Sequence, residues 1–237
     1  MRRAGRVVAE MHAASIDLIR PGITTADIDR LCRTVLERRS ARSNFLGYHG
    51  FPAVACISVN DEVVHGIPGP RVLRDGDIVS IDCGAIIEGW HADAAVTVAV
   101  GAISSADQVL LDVTKAALDA SIEQCVAGRT LGDIGAASMA IVKTAGFDYL
   151  REYTGHGIGT AMHEPPDVPN YGKAGRGMRL QVGHVIAIEP MVTAGRADVM
   201  TLDDDWTVVT ADGSRAAHFE HTVAITDDGP EILTASS

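Results

Sequence analysis

Two carboxylates interrupt the most strand-like segment of the chain, GDIVSIDCGAIIEGWHADAAVTV at residues 76–98. Asp82 lies between Ile81 and Cys83, and Asp93 lies among alanines. Two neighbouring carboxylates in apolar surroundings repel each other, so at least one keeps its proton unless a cation lies between them. This pattern indicates that the aspartates are metal ligands.

A hairpin with a two-residue tip at 88–89 would place both aspartates on one face of the sheet. Gly84 then pairs with Asp93, and side chains alternate with period two. Asp82 becomes a diagonal neighbour of Asp93, about 7–8 Å away at the backbone. We expect Gly84 to leave empty space between the two carboxylates.

The chain contains an internal repeat with an offset of about 106 residues. Two segments match later ones at this offset and in the same order, GITTADI (22–28) with GRTLGDI (128–134) and GDIVSID (76–82) with GHVIAIE (183–189). DAAVTV (93–98) loosely matches EHTVAI (220–225), which again is an acid leading a β-branched strand. We infer one domain over 1–237 built from two α/β halves, roughly 1–103 and 104–237.

Each half supplies two acids on two strands, Asp82 and Asp93, then Glu189 and Glu220. Four converging carboxylates without a counter-charge would cost several kcal/mol per ion, and these strands contain no Lys or Arg. Two divalent ions about 3.5–4 Å apart would balance the charge. An acidic core held by ion pairs alone is the less favoured alternative, because a buried unpaired Glu is rare.

Histidines next to glycines are the second group that could do chemistry. His156 and His163 lie in REYTGHGIGTAMHEPP, and His65 precedes a Gly in NDEVVHGIPG. Glycine lets the backbone approach closely and exposes the imidazole. Histidines in such loops beside an acidic cluster suit ligation or substrate contact.

The elements that must position these residues follow from periodicity and from helix start and stop signals. The pattern predicts helices at 4–19, 24–39, 106–125 and 131–144. It predicts strands at 53–59, 77–83, 93–100, 149–154, 184–190, 206–210 and 217–225. The fold class is therefore α/β.

Composition narrows the class of protein. Hydrophobic residues make up 46% of the chain, which is ample for a core, and the net charge of −11 disfavours nucleic acid as a partner. The four cysteines form no CxxC pair and are expected to be reduced thiols. No apolar run predicts a signal peptide or a membrane span, so we expect a cytoplasmic protein.

Five segments in order resemble the motifs of type I methionine aminopeptidases. They are NFLGYHGFPAVACISVNDEVVHGIP, GDIVSIDCGAIIEGWHADAAVT, REYTGHGIGTAMHEPP, VIAIEPM and HFEHTVAIT. The resemblance implies the pita-bread fold, a curved antiparallel β-sheet backed by helices with internal pseudo-two-fold symmetry. It also implies a dinuclear metal centre that removes the initiator methionine from nascent polypeptides.

The resemblance assigns five ligands, two of them bridging. Asp93 and Glu220 would bridge the two ions, Asp82 would bind one of them, and His156 and Glu189 the other. Oxygen-rich sites with one imidazole favour Mn(II), Fe(II) or Co(II), with Zn(II) as an alternative. A bridging water would become hydroxide and attack the scissile carbonyl.

The resemblance also assigns roles around the substrate. Glu189 would take and relay the proton of the attacking water, His163 would donate to the oxyanion, and His65 would lie near the scissile nitrogen. Five residues fall where the family lines its methionine pocket: Tyr48, Phe51, Cys56, Met162 and Trp206. Met162 is a departure, because an aromatic residue is common there. A monomer that contacts the ribosome transiently is expected.

Two other functions stay open at this point. A prolidase or aminopeptidase P would use the same fold and ligands on Xaa-Pro peptides, although such enzymes usually carry an extra N-terminal domain. A non-catalytic pita-bread binding protein would be expected to lose ligands and gain basic tails. All five ligand positions are intact here.

Overall fold

The computed structural model describes residues 1–235. The helices are α1 (Arg2–Leu18), α2 (Thr25–Arg38), α3 (Ser105–Ile122) and α4 (Leu131–Thr144). The strands are β1 (Ala55–Val59), β2 (Glu62–Val64), β3 (Ile78–Ile87), β4 (Trp90–Ala99), β5 (Asp148–Tyr149), β6 (Gly155–Gly157), β7 (Glu164–Val168), β8 (Val185–Ile188), β9 (Met191–Thr193), β10 (Val199–Thr201), β11 (Val208–Thr210), β12 (Ala216–His218), β13 (His221–Thr226) and β14 (Gly229–Ile232). Within the described range, none of the helices has the length and apolar composition needed to cross a membrane.

Helices α2 and α4 begin in the same way, because the repeated GxTxxDI segment forms an N-terminal capping box in both. The Asp27 N–H donates to Thr24 Oγ1 at 3.2 Å, and the Thr24 N–H donates to Asp27 Oδ2 at 2.8 Å. In the second copy the Thr130 N–H donates to Asp133 Oδ2 at 2.7 Å. Such reciprocal bonds satisfy backbone donors that a helix start leaves free. The repeated sequence segment therefore forms the same local structure, a capped helix start, in both halves.

Strands β3 and β4 form the predicted hairpin in the predicted register. Gly84 pairs with Asp93, and the tip residues Glu88 and Gly89 have φ values of 52° and 82°. Positive φ at both tip positions is the geometry of a type I′ turn, which matches the twist of the strands. Asp82 and Asp93 are therefore diagonal neighbours on one face.

The other face of this hairpin is apolar and packs on α1 and α2. Ile81 and Cys83 lie in one core cluster with Met11 and Cys32, and all four are fully buried. Side chains along β3 and β4 point alternately to the two faces of the hairpin, so one face is covered by helices and the other carries the acids. All four cysteines are free and buried, as the sequence predicts: Cys32, Cys56, Cys83 and Cys125.

The second half repeats this arrangement with α3 and α4 against β8 and β13. Leu118 and Ile134 from the helices share a core cluster with Ile186 and Val223 from the strands. All strand pairs are antiparallel, and the sheet is divided into four hydrogen-bonded pieces, β1-β3-β4, β10-β11-β2, β12-β9-β5 and β14-β13-β8-β6-β7. The predicted α/β class is confirmed.

The two halves join where β4 meets the start of β13. The Glu220 N–H donates to the Ala95 carbonyl at 2.9 Å. Thr222, two residues after Glu220, bonds to Asp93, two residues before Ala95. The Asp93 N–H donates to Thr222 Oγ1 at 3.1 Å, and that hydroxyl donates to the Asp93 carbonyl at 2.8 Å. This junction brings an acid from each half to the same place.

Two predicted strands have the wrong extent. The single strand expected at 217–225 is interrupted, because β12 ends at His218 and pairs with β9, whereas β13 begins at His221 and pairs with β8. Glu220 lies in the gap, where the chain passes from one sheet to the next. The strand expected at 149–154 is also wrong, since β5 covers only its start. Local alternation does not reveal where a strand changes partner.

Candidate metal centre and substrate pocket

One cavity of about 150 Å³ lies on the acid-bearing face, where the two halves meet. It is lined by Phe45 and by every residue that the sequence analysis assigned to the site: Tyr48, Phe51, Cys56, His65, Asp82, Asp93, His156, Met162, His163, Glu189, Trp206 and Glu220. Polar groups occupy one end and aromatic and sulfur-bearing groups the other. The structure therefore brings the predicted residues together, while their individual roles stay proposals.

The tightest group of ligand-type atoms comes from Asp93, His156 and Glu220. One ligand atom from each residue lies within 4.8 Å of the others, and all three residues are buried. Strand β3 adds Asp82, and Glu189 directly follows β8. Because these positions lie on or directly beside different strands, their convergence depends on how the sheets are arranged.

The His156 ring is oriented by its own backbone neighbour. Its Nδ1 lies 2.9 Å from the Gly157 carbonyl, which can only accept, so Nδ1 carries a hydrogen and Nε2 is the ring nitrogen available to a cation. That Nε2 lies 3.6 Å from Glu189 Oε1 and 3.8 Å from Asp93 Oδ2. These distances are too long for hydrogen bonds and suit donor atoms that share a cation about 2.1 Å from each.

Glycine is required on both sides of His156. A Cβ on Gly155 would collide with the Ala187 carbonyl of β8, and a Cβ on Gly157 would collide with the Pro165 carbonyl of β7. Only glycine permits strands to approach this closely. The GHG segment thus holds the imidazole at the centre of β7, β6 and β8.

Burial raises the pKa values of the acids in this cluster. It raises the pKa of Glu189 to about 8, an effect that His156 opposes and Asp93 adds to. Burial, with repulsion from Asp93 and Glu189, raises the pKa values of Asp82 and Glu220 well above their usual range. These carboxyl groups therefore hold protons near neutral pH unless a cation favours the ionised form.

Two buried polar atoms at the site have no hydrogen-bond partner among residues 1–235, Asp82 Oδ1 and His218 Nε2. His218 Nε2 lies 3.6 Å from Glu189 Oε2. A buried polar atom without a hydrogen-bond partner is rare in proteins, and a bound cation would give Asp82 Oδ1 a partner. Four carboxylates and one imidazole are a ligand set for hard or borderline divalent cations, so the residues present fit a metal centre.

Two further histidines border the acidic cluster. Tyr48 Oη lies 2.6 Å from His163 Nδ1, and loss of hydration together with the neighbouring His156 lowers the pKa of His163 to about 4. Burial lowers the pKa of His65 to about 4 as well. His65 has a φ of 61°, which is uncommon outside glycine and often marks functional sites. Both rings are therefore neutral near pH 7.

The apolar end of the cavity is a cluster of aromatic and sulfur-bearing side chains. The rings of Phe51 and Trp206 meet edge to face with centroids 5.0 Å apart, and Phe45 lies 6.5 Å from Phe51. Cys56 and Met162 complete the cluster and are buried. Such a lining suits a flexible apolar side chain with a polarisable sulfur.

Comparison with known proteins identifies the family. The chain matches the model of metallopeptidase family M24 over residues 1–227. The methionine aminopeptidase of Clostridium acetobutylicum is 51% identical, over 99% of this chain and 94% of that protein. The chain belongs to metallopeptidase family M24.

Solved structures confirm the fold expected of an M24 protein. The methionine aminopeptidase of Thermotoga maritima is 43% identical and superposes with a TM-score of 0.98, covering 100% of this chain and 95% of that one. The prolidase of Pyrococcus furiosus is 21% identical with a TM-score of 0.79, and the match covers 100% of this chain and 63% of that one. The second likeness shows a shared fold alone. The pita-bread architecture is confirmed.

Three residues of this M24 site were missed in the sequence. Phe45 completes the apolar end, His218 faces Glu189, and Thr222 holds the Asp93 backbone. His218 and Thr222 lie two residues before and after Glu220, and this symmetric spacing was the available signal. Phe45 precedes the first strand and carries no periodic signal.

Proposed function

We propose that this protein is a methionine aminopeptidase, a hydrolase that removes the N-terminal methionine from nascent polypeptides. The observation that carries this proposal is the cavity, which joins a carboxylate–imidazole cluster to an apolar end lined by aromatic and sulfur-bearing side chains. The 51% identity to a protein with this activity in its name, over nearly the whole of both chains, supports it.

We assign five ligands to two divalent cations: Asp82, Asp93, His156, Glu189 and Glu220. Asp93 and Glu220 would be the ligands shared by both cations, a role supported by their closeness to His156 and by the connection between β4 and the start of β13. Cations there would acidify a water for attack on the scissile carbonyl. The oxygen-rich set favours Mn(II), Fe(II) or Co(II), with Zn(II) as the alternative.

Glu189 exchanges the proton of the reaction in this proposal. A carboxylate within hydrogen-bond reach of the attacking water can accept its proton and later return it, and Glu189 lines the cavity beside the other proposed ligands. The nearby His218 Nε2 limits where the second oxygen of Glu189 can point. Glu189 is therefore both a ligand and the proton relay.

His163 stabilises the developing oxyanion. If the Tyr48 hydroxyl donates to Nδ1, then Nε2 carries the hydrogen and can donate into the cavity. His65 lies near the scissile nitrogen, and its constrained backbone limits the orientations of its ring. Both residues contact substrate without binding metal in this assignment.

The apolar end selects the first residue of the peptide. Phe51, Cys56, Met162 and Trp206 surround an unbranched thioether, and Tyr48 borders the opening. The whole cavity, with its acidic end, has a volume of about 150 Å³, so its apolar part suits a single side chain. The free amino group then lies beside the acidic cluster, which restricts the enzyme to N-termini.

We further propose that residues 1–237 form one catalytic domain that acts as a cytoplasmic monomer and contacts the ribosome transiently. Both halves must stay together because each supplies ligands to one centre. The net charge of −11 disfavours direct binding to nucleic acid. Sedimentation equilibrium at micromolar concentration is the test of the monomer.

The decisive experiment combines metal analysis with two substrate classes under anaerobic conditions. We expect two equivalents of Mn(II) or Fe(II) per chain and hydrolysis of Met-Ala-Ser but not of an Xaa-Pro peptide. Leu-Ala-Ser is the matched control for the pocket and should react far more slowly. Preference for Xaa-Pro would instead indicate a prolidase-type enzyme, and a metal content near zero would indicate a binding protein.

A further inference from the structure

The side chain of Asn44 is buried beside the metal centre without a hydrogen bond. Asn44 is 6% exposed, and neither Oδ1 nor Nδ2 has a partner among the described residues. Buried amides nearly always form hydrogen bonds, and each exception needs a reason. The catalytic assignments above give Asn44 no role.

The path of the chain places Asn44 over Gly84. Arg42 and Ile86 exchange two backbone hydrogen bonds of 3.1 and 2.7 Å, so the segment before the first strand runs antiparallel to β3. A Cβ on Gly84 would collide first with Asn44 Oδ1, and it would lie 2.5 Å from Nδ2 and 2.6 Å from Cγ of the same side chain. The amide therefore fills the volume that a side chain at position 84 would take. The expectation of empty space over Gly84 is wrong.

That volume lies between two of the proposed ligands. Gly84 pairs with Asp93 across the hairpin and lies two residues from Asp82 along β3, so all three share one face. Asp82 Oδ1 is itself buried without a partner. Two unpaired groups therefore lie against the same face of the hairpin. One is the Asn44 amide, whose Nδ2–H can donate a hydrogen bond, and the other is Asp82 Oδ1, which can accept one.

Folding alone would favour an apolar side chain at this position. An amide that stays unpaired loses its hydration and gains nothing in return, whereas an apolar group of the same shape fills the space without that penalty. A polar group held against this preference indicates a contact that forms in another state of the site. Loading with cations is the state in which the Asp82 side chain must be held in one orientation.

We propose that Asn44 is a positioning residue of the metal centre, whose Nδ2–H donates to the Asp82 carboxylate when cations are bound. The contact leaves the other oxygen of Asp82 directed at the ion. Partners of this kind change metal affinity by about 10- to 100-fold. The inference rests on the ligand assignment of the proposed function.

The test compares Mn(II) affinity with the stability of the metal-free protein in Asn44→Leu, which keeps the shape and removes the amide. Titration calorimetry on anaerobic apoprotein should give an affinity about 10- to 100-fold weaker than that of the unmodified protein. The unfolding temperature of the apoprotein should stay the same or rise. An affinity within twofold of the unmodified protein would overturn the proposal, whatever the unfolding temperature.

A control and a rescue variant separate positioning from general damage. Asn60→Leu removes an amide that bonds Asp77 at 2.8 Å and the Ile78 N–H at 3.0 Å. It should lower the unfolding temperature of the apoprotein and leave Mn(II) affinity unchanged, the opposite pattern.

The rescue restores a polar group from the neighbouring strand. Asn44→Ala should weaken Mn(II) binding, and adding Gly84→Ser should recover part of the loss, since the serine hydroxyl enters the vacated space. Equal affinities in the single and double variants would overturn the proposal. These two variants also test the proposal if Asn44→Leu does not fold.

The Mn(II) titrations separate a failure of this proposal from a failure of the proposed function. If the unmodified protein binds no Mn(II), the ligand assignment itself fails, whereas normal binding in every variant refutes the role of Asn44 alone.

Discussion

Replacing Glu189 by Gln should stabilise the metal-free protein increasingly as pH rises. Burial raises the pKa of Glu189 from its ordinary 4.5 to about 8. Between these values the folded protein retains a proton that the unfolded chain has released. Stability therefore falls as pH rises through this window and levels off above pH 8. Gln does not ionise, so the unfolding free energy of the variant does not fall for this reason as pH rises.

One retained proton corresponds to about 1.4 kcal/mol per pH unit. From pH 5.5 to 7.5 the unmodified protein should thus lose about 3 kcal/mol of unfolding free energy relative to Glu189→Gln. Buried histidines such as His12 and His65, whose pKa values are lowered to about 4, act in the opposite direction below pH 6.5. They are present in both proteins, so their effect cancels in the difference.

Urea denaturation in EDTA at pH 5.5, 6.5 and 7.5 measures this difference. Glu123→Gln, a substitution at an exposed position after α3, is the matched control and should change the unfolding free energy by less than about 0.5 kcal/mol. Adding Mn(II) at pH 7.5 should reverse the order, because the unmodified protein gains binding free energy that the variant lacks. A Glu189→Gln difference that stays constant within about 0.5 kcal/mol over the three pH values would refute the reasoning about burial.

Three more outcomes are expected. Asp93→Asn should prevent loading of two equivalents of Mn(II) in anaerobic metal analysis, and full activity of this variant would refute the bridging assignment. Thr222→Val leaves the Asp93 N–H without its 3.1 Å acceptor, so urea denaturation should show a loss of about 1–3 kcal/mol; an unchanged midpoint would contradict this. Met162→Ala removes buried surface from the apolar end and should lower kcat/KM for Met-Ala-Ser by about tenfold, corresponding to about 1.4 kcal/mol, with Mn(II) affinity unchanged. An equal decrease for Leu-Ala-Ser would argue against a methionine pocket.

Much of the site could be predicted because its local geometry depends on short segments. The two-residue tip of the β3–β4 hairpin, together with period-two alternation, is sufficient to place Asp82 and Asp93 on one face. The capping boxes at Thr24 and Thr130 follow from three-residue spacing. Such features involve contacts between residues close in sequence, so neighbouring residue types are enough to indicate them.

Features that depend on a change of strand partner could not be read in this way. Glu220 lies where the chain leaves one sheet for the next, although its segment looks like a continuous strand. The hydrogen bond between Tyr48 and His163 joins residues 115 positions apart. The family resemblance assigned both residues to the site, but no local rule pairs them.

The amino-acid sequence is enough to indicate the family, the repeated halves and the identity of the acids, because motif order and alternation are properties of the chain. Which oxygens converge, and what fills the space between them, depends on the folded arrangement. Asn44 illustrates the difference, since it lies over Gly84 only because a loop outside the hairpin runs beside β3. Contacts between distant segments depend on how whole sheets pack, and that packing is set by the core of both halves together.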